Sequence, residues 1–218
     1  MTTANTSKKN ICVPDASSLL FAGQIELKGK EIFEWMLERY NFYISSEVKD
    51  ECFDKIQKKR VELINTQKFK NHVSQNVVSD IDYENCWKYL VEKCCKNQES
   101  EFPKQHPGEM SSLALSLYLN AKFARPIVLL IDDVPAMKAF AKIIDDQKFA
   151  IQMSIPDIII SFFKSEPDLN ENDTAASLQT YYNIMTGAMR YMIFKTRFEQ
   201  SCRNIWFQQC SAQCIFKA

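Results

Sequence analysis

Acidic residues that follow apolar segments are the most suggestive chemical feature of this sequence. Two apolar runs, at 10–14 and 126–131, are followed by acids, and two predicted helices carry an acid near their start. The residues concerned are Asp15, Glu51, Glu109, Asp132 and Asp133. In α/β folds, ligands collect beyond the carboxyl ends of parallel strands. Carboxylates that meet there repel one another unless a cation neutralises them, and Mg²⁺ or Mn²⁺ suits such oxygen ligands.

The elements that would position these acids alternate between strands and helices. Apolar runs predict strands at 10–14, 42–44, 126–131 and, as an edge strand, 149–153. Periodic apolar residues predict helices at 17–22, 31–40, 46–64, 83–95, 109–122 and 135–144, and the apolar stretch at 155–163 is expected to close the domain. The aliphatic run at 126–131 is typical of a central parallel strand, which is apolar on both faces. We therefore expect an α/β fold with a central parallel sheet flanked by helices.

The composition along the chain predicts one main domain and a C-terminal extension. Residues 1–9 are polar and are expected to be a disordered tail, and 10–164 form the α/β domain, with 66–107 as a helical insertion. Residues 165–173 contain four acids and no basic residue, which indicates a linker. Residues 174–218 lack proline and carry five basic residues against one acid, so this extension is expected to be helical.

Four segments of the main domain resemble the PIN domain family, in particular the PIN-type proteins of prokaryotic toxin–antitoxin pairs. VPDASSLL, which contains Asp15, is similar to the strand-end acid of that family, and SSEVKDE, which ends at Glu51, is similar to its second acidic segment. GEMSSLALSLYL places Glu109 at the start of a helix, and LLIDDVPAMKAFA places Asp132 after a strand. Their order and spacing match the family across 10–163, apart from the insertion.

The resemblance implies a PIN-like three-layer fold and a metal-dependent endoribonuclease. Such an enzyme holds one or two Mg²⁺ or Mn²⁺ ions, which orient an attacking water and stabilise the departing 3′ oxygen of RNA. The implied metal ligands are Asp15, Glu109, Asp132 and Asp133. Glu51 would bind the ion directly or through a water, Ser17 would position a ligand or a water, and Asp157 is a weaker candidate for a further acid.

Each acid also has a simpler structural interpretation. Asp15 and the pair Asp132–Asp133 can cap the helices that follow them, and Glu51 and Glu109 can interact with helix dipoles. Together they favour a metal site, because helix caps have no reason to reproduce the order of one family. Two rival functions remain: a non-catalytic PIN-like module that binds RNA or protein, and a structure-specific DNA nuclease. The expected partners are RNA, an antitoxin protein if the chain is a toxin, and a second copy of the chain.

Basic and aromatic residues offer secondary interaction sites. A basic run near Glu51 would contact nucleic-acid phosphates, although a solvated helix face is the favoured interpretation: Lys55, Lys58, Lys59 and Arg60. The same two interpretations apply to Arg190, Arg197 and Arg203. Aromatic residues of the extension, including Tyr181, Tyr182, Tyr191, Phe194, Phe198, Trp206 and Phe207, would stack on bases, but helical spacing favours packing.

The composition excludes several classes of protein. With 27 basic and 27 acidic residues, the chain is neither a strongly basic nucleic-acid coat nor an acidic tail protein. Its longest aliphatic runs are far below the ~20 residues needed to cross a bilayer, and residues 1–10 lack a secretory signal, so we expect a cytoplasmic protein without a membrane span. Eight cysteines without a CxxC motif, and only two histidines, predict reduced thiols rather than zinc ligands or disulfides.

Overall fold

The computed structural model describes residues 9–78, 82–96 and 107–187 of the 218-residue chain. Within these ranges the strands are β1 (Asn10–Pro14), β2 (Glu26–Leu27), β3 (Lys30–Glu31), β4 (Tyr40–Phe42), β5 (Ile127–Leu130) and β6 (Ala150–Met153). The helices are α1 (Ala16–Ala22), α2 (Ile32–Arg39), α3 (Ser46–Gln57), α4 (Thr66–Gln75), α5 (Asp82–Lys96), α6 (Pro107–Phe123), α7 (Val134–Gln147), α8 (Ile155–Ser165) and α9 (Glu171–Gly187).

Four of these strands form one parallel sheet, in the order β4, β1, β5, β6. The inner strand β1 places Cys12 opposite Phe42 of β4 on one side and opposite Val128 of β5 on the other. β6 pairs with β5 and lies at one end of this strand order. The prediction of an α/β fold with a central parallel sheet and flanking helices is therefore confirmed.

The two faces of the sheet carry separate hydrophobic clusters, because successive side chains of a strand point to opposite faces. Cys12 and Val128 belong to the first cluster, to which α1 to α4, α8 and α9 also contribute. Val13 and Leu129 belong to the second cluster, which also contains residues of α5, α6 and α7. Helices thus cover both faces, and the protein has three layers.

The 66–107 segment contains α4 and α5, and these helices pack on opposite faces of the sheet. Phe69 of α4 is buried in the first cluster, and Leu90 of α5 is buried in the second. Each helix therefore adds to a core that the rest of the domain also builds. Residues 79–81 and 97–106 of this segment lie outside the described ranges.

Three local features differ from the sequence predictions. β4 begins two residues earlier than the predicted strand at 42–44, and the antiparallel hairpin β2–β3 was not predicted, because two-residue strands show no readable alternation. Gly29 has a φ of +71° in the hairpin turn, where glycine avoids backbone strain. Helix α3 ends at Gln57, before the predicted limit at 64, and Lys59 just beyond its end has left-handed backbone with a φ of 52°.

Helix α9 joins the C-terminal part of the described chain to the main domain. It begins at Glu171, inside the segment 165–173 for which a linker was predicted. Leu178, Tyr181 and Met185 on this helix are buried in the first hydrophobic cluster. Packing, which the sequence favoured for Tyr181, is therefore confirmed for this aromatic residue.

Pro14 occupies the last position of an inner strand, where a proline is unusual because it lacks an N–H donor. The Cys12 carbonyl accepts a bond of 3.0 Å from the Tyr43 amide, just beyond the end of β4. Polar backbone groups two residues apart face the same neighbouring strand, so Pro14 faces the side on which β4 has already ended. The missing N–H therefore falls where strand pairing stops.

Several predictions concern residues outside the described ranges. They are the tail at 1–8 and the extension residues Arg190, Tyr191, Phe194, Arg197, Phe198, Arg203, Trp206 and Phe207. Among the described helices, none combines the length and the apolar character that a membrane span requires. Cys12 and Cys52 are buried free thiols, and burial raises the pKa of both, which keeps them protonated.

Candidate acidic site at the carboxyl edge of the sheet

Adjacent strands bring Asp15 and Asp132 to the same edge of the sheet. Asp15 directly follows β1, and its amide donates a 2.8 Å bond to the Leu130 carbonyl at the end of β5. Asp132 follows β5 by two residues, and Ser18 of α1 contacts both acids. The Ser18 amide is 2.6 Å from Asp15 Oδ1, and the Ser18 Oγ is 2.6 Å from Asp132 Oδ2. The amide N and hydroxyl O of one serine are less than about 4 Å apart, so these carboxylate oxygens lie within about 9 Å of each other.

Asp15 is a buried carboxyl group, and one of its oxygens has no partner among the described residues. The residue is 1% exposed, and its Oδ1 accepts the Ser18 amide bond, as expected of an N-cap. Its Oδ2 has no hydrogen-bond partner in the part of the chain that the structure describes. Burial raises the pKa of Asp15 well above its usual value, and the charges of Asp132 and Glu109 raise it further, against the lowering effect of the Ser18 hydrogen bonds. A nearby cation would reverse this shift and fill the open position.

Asp132 is equally buried but well supplied with donors. Its Oδ2 accepts the Ser18 hydroxyl, and its Oδ1 accepts the Tyr181 hydroxyl of α9. The Ile155 amide at the start of α8 lies 3.2 Å from Oδ1 and 3.3 Å from Oδ2. The Asp132 carboxylate therefore connects three helices, α1, α8 and α9.

Glu51 lies against the start of α6, at the residue before Glu109. Glu109 is in the first turn of α6 and is half-buried. A Cβ placed on Gly108 would lie 2.8 Å from Glu51 Oε2, so the Glu51 carboxylate rests against the backbone of Gly108. The other oxygen of Glu51 forms a 2.6 Å ion pair with Lys55. Glycine at position 108 thus allows the Glu51 carboxylate of α3 to approach the backbone of α6.

Buried serines fix the start of α6 to its neighbours. The Ser112 hydroxyl donates to the Pro14 carbonyl at 3.0 Å, at the end of β1. The Ser111 hydroxyl lies 2.6 Å from that of Ser45, the N-cap of α3. These contacts connect the segment that carries Glu109 to the strand that ends before Asp15.

Two other predicted acids serve as helix caps in the structure. Asp133 is 5% exposed, and its Oδ1 accepts the Ala136 amide at 2.9 Å, which caps α7. Asp157 Oδ2 accepts the amide and hydroxyl of Ser154 at 2.8 and 2.6 Å at the start of α8. Both side chains therefore have the structural role that Asp commonly takes at helix starts.

The basic run on α3 is partly neutralised within its own helix. Lys55 pairs with Glu51, and Lys58 pairs with Asp54 at 2.7 Å. Lys59 and Arg60 follow the helix and are exposed. This arrangement is what a solvated helix face would show, and it leaves Lys59 and Arg60 as the most accessible cations of the run.

Two residues of the site, Ser18 and Tyr181, were not identified from the sequence as members of it. The sequence suggested Ser17 for a positioning role, but Ser18 makes the contacts with both Asp15 and Asp132. The rule that an N-cap acid bonds to the amide three residues later points to Ser18. No local signal could connect Tyr181 to Asp132, because 49 residues separate them.

The donor set fits a cation that is held by few protein ligands. Among the described residues, no group of three or more His, Cys, Asp or Glu side chains is arranged to hold a metal ion. Mg²⁺ is commonly held by one or two carboxylates, with waters and substrate phosphate completing its shell. The Oδ2 atom of Asp15 has no partner in the ranges that the structure describes, and Glu109 is close enough to raise the pKa of Asp15, so the site meets that lower requirement.

The chain has no counterpart in three comparisons with known proteins. It matches no family model, no curated protein and no solved structure. The resemblance to PIN domains therefore depends on the four sequence segments alone.

Proposed function

We propose that this protein is a Mg²⁺- or Mn²⁺-dependent endoribonuclease whose site is the acidic cluster at the carboxyl edge of the sheet. The observation that carries the proposal is the buried Asp15 carboxyl group, with Oδ2 unpartnered in the described chain and the charges of Asp132 and Glu109 nearby. Burying such a group without a partner lowers stability. A bound dication would offset that loss, so the arrangement is better suited to ligand binding than to stability.

Each acid would have a separate role. Asp15 would hold the ion through Oδ2, and Glu109 would be the second ligand. Asp132 would not bind the ion directly; it would hold Ser18, which in turn orients Asp15. When bound, the dication would lower the pKa of an attacking water and neutralise charge on the phosphate.

Glu51 is placed to accept a proton or to orient a water. Its carboxylate lies against Gly108, next to the residue that would bind the ion. Its other oxygen forms the 2.6 Å ion pair with Lys55. A half-buried carboxylate next to a proposed metal ligand is placed to accept a proton from a water.

RNA is proposed as the substrate because of the PIN-like order of the four acidic segments. The parallel sheet, with helices on both faces, supports such a fold at the level of its layers. A toxin of this type would be restrained by an antitoxin protein. Lys59 and Arg60, which are exposed at the end of the helix that carries Glu51, would contact RNA phosphates.

A second candidate function is a non-catalytic module that binds RNA or protein. It is favoured by the Asp132 carboxylate, to which Ser18, Tyr181 and the Ile155 amide all donate. On this alternative, the acids at the sheet edge are structural, and Asp15 is a helix cap. The two functions differ in one property, which is metal-dependent cleavage.

The test is cleavage of single-stranded RNA by the wild type and two variants in the presence of Mn²⁺. Asp15→Asn should abolish cleavage, because an amide is a poor ligand for a hard cation. Asp133→Asn is the matched control: it removes the same charge nearby, while Asn still caps α7. Cleavage by the wild type and Asp133→Asn, but not by Asp15→Asn, would support the proposal.

The remaining outcomes separate the alternatives. If RNA is bound but not cleaved with any divalent ion, the binding module is correct. Cleavage of flap DNA but not of RNA would identify a DNA nuclease with the same site. Equal cleavage by Asp15→Asn and the wild type would contradict the assignment of the site.

A further inference from the structure

Tyr181 connects the C-terminal helix α9 to the acidic cluster. Its hydroxyl donates to Asp132 Oδ1, and the residue is 2% exposed. Its ring packs edge-on against Phe21 of α1, with centroids 5.4 Å apart and an interplanar angle of 86°. Both ends of the side chain are therefore in contact with the elements that form the site.

A continuous line of hydrogen bonds leads from Tyr181 to Asp15. Tyr181 donates to one oxygen of Asp132, and the Ser18 hydroxyl donates to the other. The Ser18 amide then donates to Asp15 Oδ1 at 2.6 Å. Because the Ser18 amide holds Oδ1, it also restricts where Oδ2, which has no partner in the described chain, can lie.

Helix α9 is also held in place without the Tyr181 hydroxyl. The Ser177 hydroxyl donates to the Glu26 carbonyl of the small hairpin, and Leu178 is fully buried. The Lys28 ammonium donates to the Asp168 carbonyl, just before the helix, at 2.7 Å. Removing the Tyr181 hydroxyl alone should therefore leave α9 docked.

We propose that Tyr181 is a positioning residue, which acts through Asp132 and Ser18 to set the orientation of the Asp15 carboxylate. The inference rests on the proposed function, since the orientation matters for a cation bound at Asp15. It makes α9 part of the site, although α9 follows the last strand of the sheet and carries none of the acids of the cluster.

Tyr181 can act on Ser18 because both oxygens of Asp132 belong to one rigid carboxylate, so a movement of one oxygen also moves the other. Loss of the Tyr181 donor leaves Oδ1 with the Ile155 amide at 3.2 Å, which it shares with Oδ2, and the carboxylate is expected to rotate toward that amide. Such a rotation moves Oδ2 of Asp132 together with the Ser18 hydroxyl that is bonded to it. The Ser18 amide, which holds Asp15, is then displaced as well. The change at Asp15 is therefore indirect and requires no contact between Tyr181 and the cation.

The experiment compares Tyr181→Phe with Tyr182→Phe in the full chain. The first variant keeps the ring against Phe21 and removes only the hydroxyl, and the second makes the same change one residue away.

Two quantities are measured: the amide resonance of Ser18 by NMR without metal, and the affinity for Mn²⁺ by titration. Tyr181→Phe should move the Ser18 resonance and weaken Mn²⁺ binding about three- to tenfold, as expected for the partial loss of a hydrogen bond to a charged group. Tyr182→Phe should leave both unchanged.

The outcomes distinguish the positioning role from the proposed function. If Tyr181→Phe leaves the Ser18 resonance and the Mn²⁺ affinity at wild-type values, the positioning role is overturned. If the resonance moves but the wild type binds no Mn²⁺, the proposed function fails, while the connection from Tyr181 to Asp15 is supported. Unfolding of Tyr181→Phe, shown by loss of amide dispersion, would overturn the claim that the hydroxyl acts only on the site.

Discussion

Asp15 and Asp132 end neighbouring strands and are both almost fully buried, yet their surroundings are opposite. Asp132 receives hydrogen bonds from Ser18, Tyr181 and the Ile155 amide. Asp15 is bonded on one oxygen, and its other oxygen has no partner in the described chain. Asp132 therefore stabilises the fold through its hydrogen bonds, whereas Asp15 keeps one carboxylate oxygen available for a ligand.

The difference arises from contacts that are distant in sequence. Both acids follow an apolar strand and precede a helix, so their local sequences are alike. Residues of α1, α8 and α9 donate hydrogen bonds to Asp132. Asp15 instead lies near the charges of Asp132 and Glu109, which raise its pKa. A cation is the simplest group that would supply a partner for Asp15 Oδ2 without changing the hydrogen bonds of Asp132.

The largest effect is expected when the well-bonded acid is removed. Asp132→Ala would leave the Ser18 and Tyr181 hydroxyls and the Ile155 amide without their acceptor. Buried donors that lose their partner, together with the lost packing, should lower the free energy of unfolding by about 3–5 kcal/mol. Equilibrium unfolding in urea measures this value. A loss below about 1 kcal/mol would show that Asp132 does not connect the three helices.

In metal-free protein, Asp15→Asn should increase the free energy of unfolding relative to the wild type as the pH rises, whereas Asp132→Ala lowers it. The pKa of Asp15 is raised in the folded state, so protonation favours folding, and that stabilisation is lost as pH rises through the folded-state pKa. The variant lacks this titration and retains an acceptor for the Ser18 amide. Its stability relative to the wild type should therefore increase with pH.

Thermal unfolding between acid and neutral pH measures this trend, with Asp133→Asn as the control for removal of one charge. Excess Mn²⁺ should stabilise the wild type and not Asp15→Asn. A difference between Asp15→Asn and the wild type that does not change with pH would contradict the environment assigned to Asp15.

A substitution at Gly108 tests the position of Glu51. The new methyl group of Gly108→Ala would lie 2.8 Å from Glu51 Oε2, the end of a flexible side chain that can move aside. Because Ala also favours a helix, the free energy of unfolding should change by less than about 1 kcal/mol. Cleavage should fall if Glu51 handles a proton or a water. Unchanged cleavage would remove Glu51 from the site.

The smallest effect is expected at Lys55. Its pair with Glu51 is partly exposed and lies within one helix, so Lys55→Gln should lower the free energy of unfolding by no more than about 0.5 kcal/mol. Binding of RNA should weaken more in Arg60→Gln, since Arg60 is exposed. A filter-binding assay at two salt concentrations compares the two variants. Equal losses would indicate that Lys55 also reaches the phosphates.

The sheet was predictable because apolar strands leave a strong local signal. The aliphatic run at 126–131 and the run at 10–14 both form inner strands, and Asp15 and Asp132 lie at their carboxyl ends. The same reasoning could not tell which acids are satisfied by the protein itself. Asp133 and Asp157 carry cap signals that are read directly from sequence, and the structure shows their cap bonds. The metal-binding role that the resemblance implies for Asp133 stays a prediction.

The contacts that distinguish Asp15 from Asp132 were beyond sequence reasoning. Tyr181 and Ile155 reach Asp132 only because α8 and α9 return to the sheet edge. Gly108 and Glu51 meet because α3 packs against α6, which neither helix pattern specifies. Local periodicity predicts elements and their faces, whereas the partners of a buried carboxylate depend on how distant elements pack.

The most direct test of the central claim is calorimetric titration of the metal-free protein with Mn²⁺ at neutral pH. The wild type should bind Mn²⁺, because the ion would give a partner to Asp15 Oδ2, which has none in the described part of the chain. Asp15→Asn should show no binding, and Asp133→Asn should bind as the wild type does. Absence of binding by the wild type, or equal affinity in Asp15→Asn, would contradict the account.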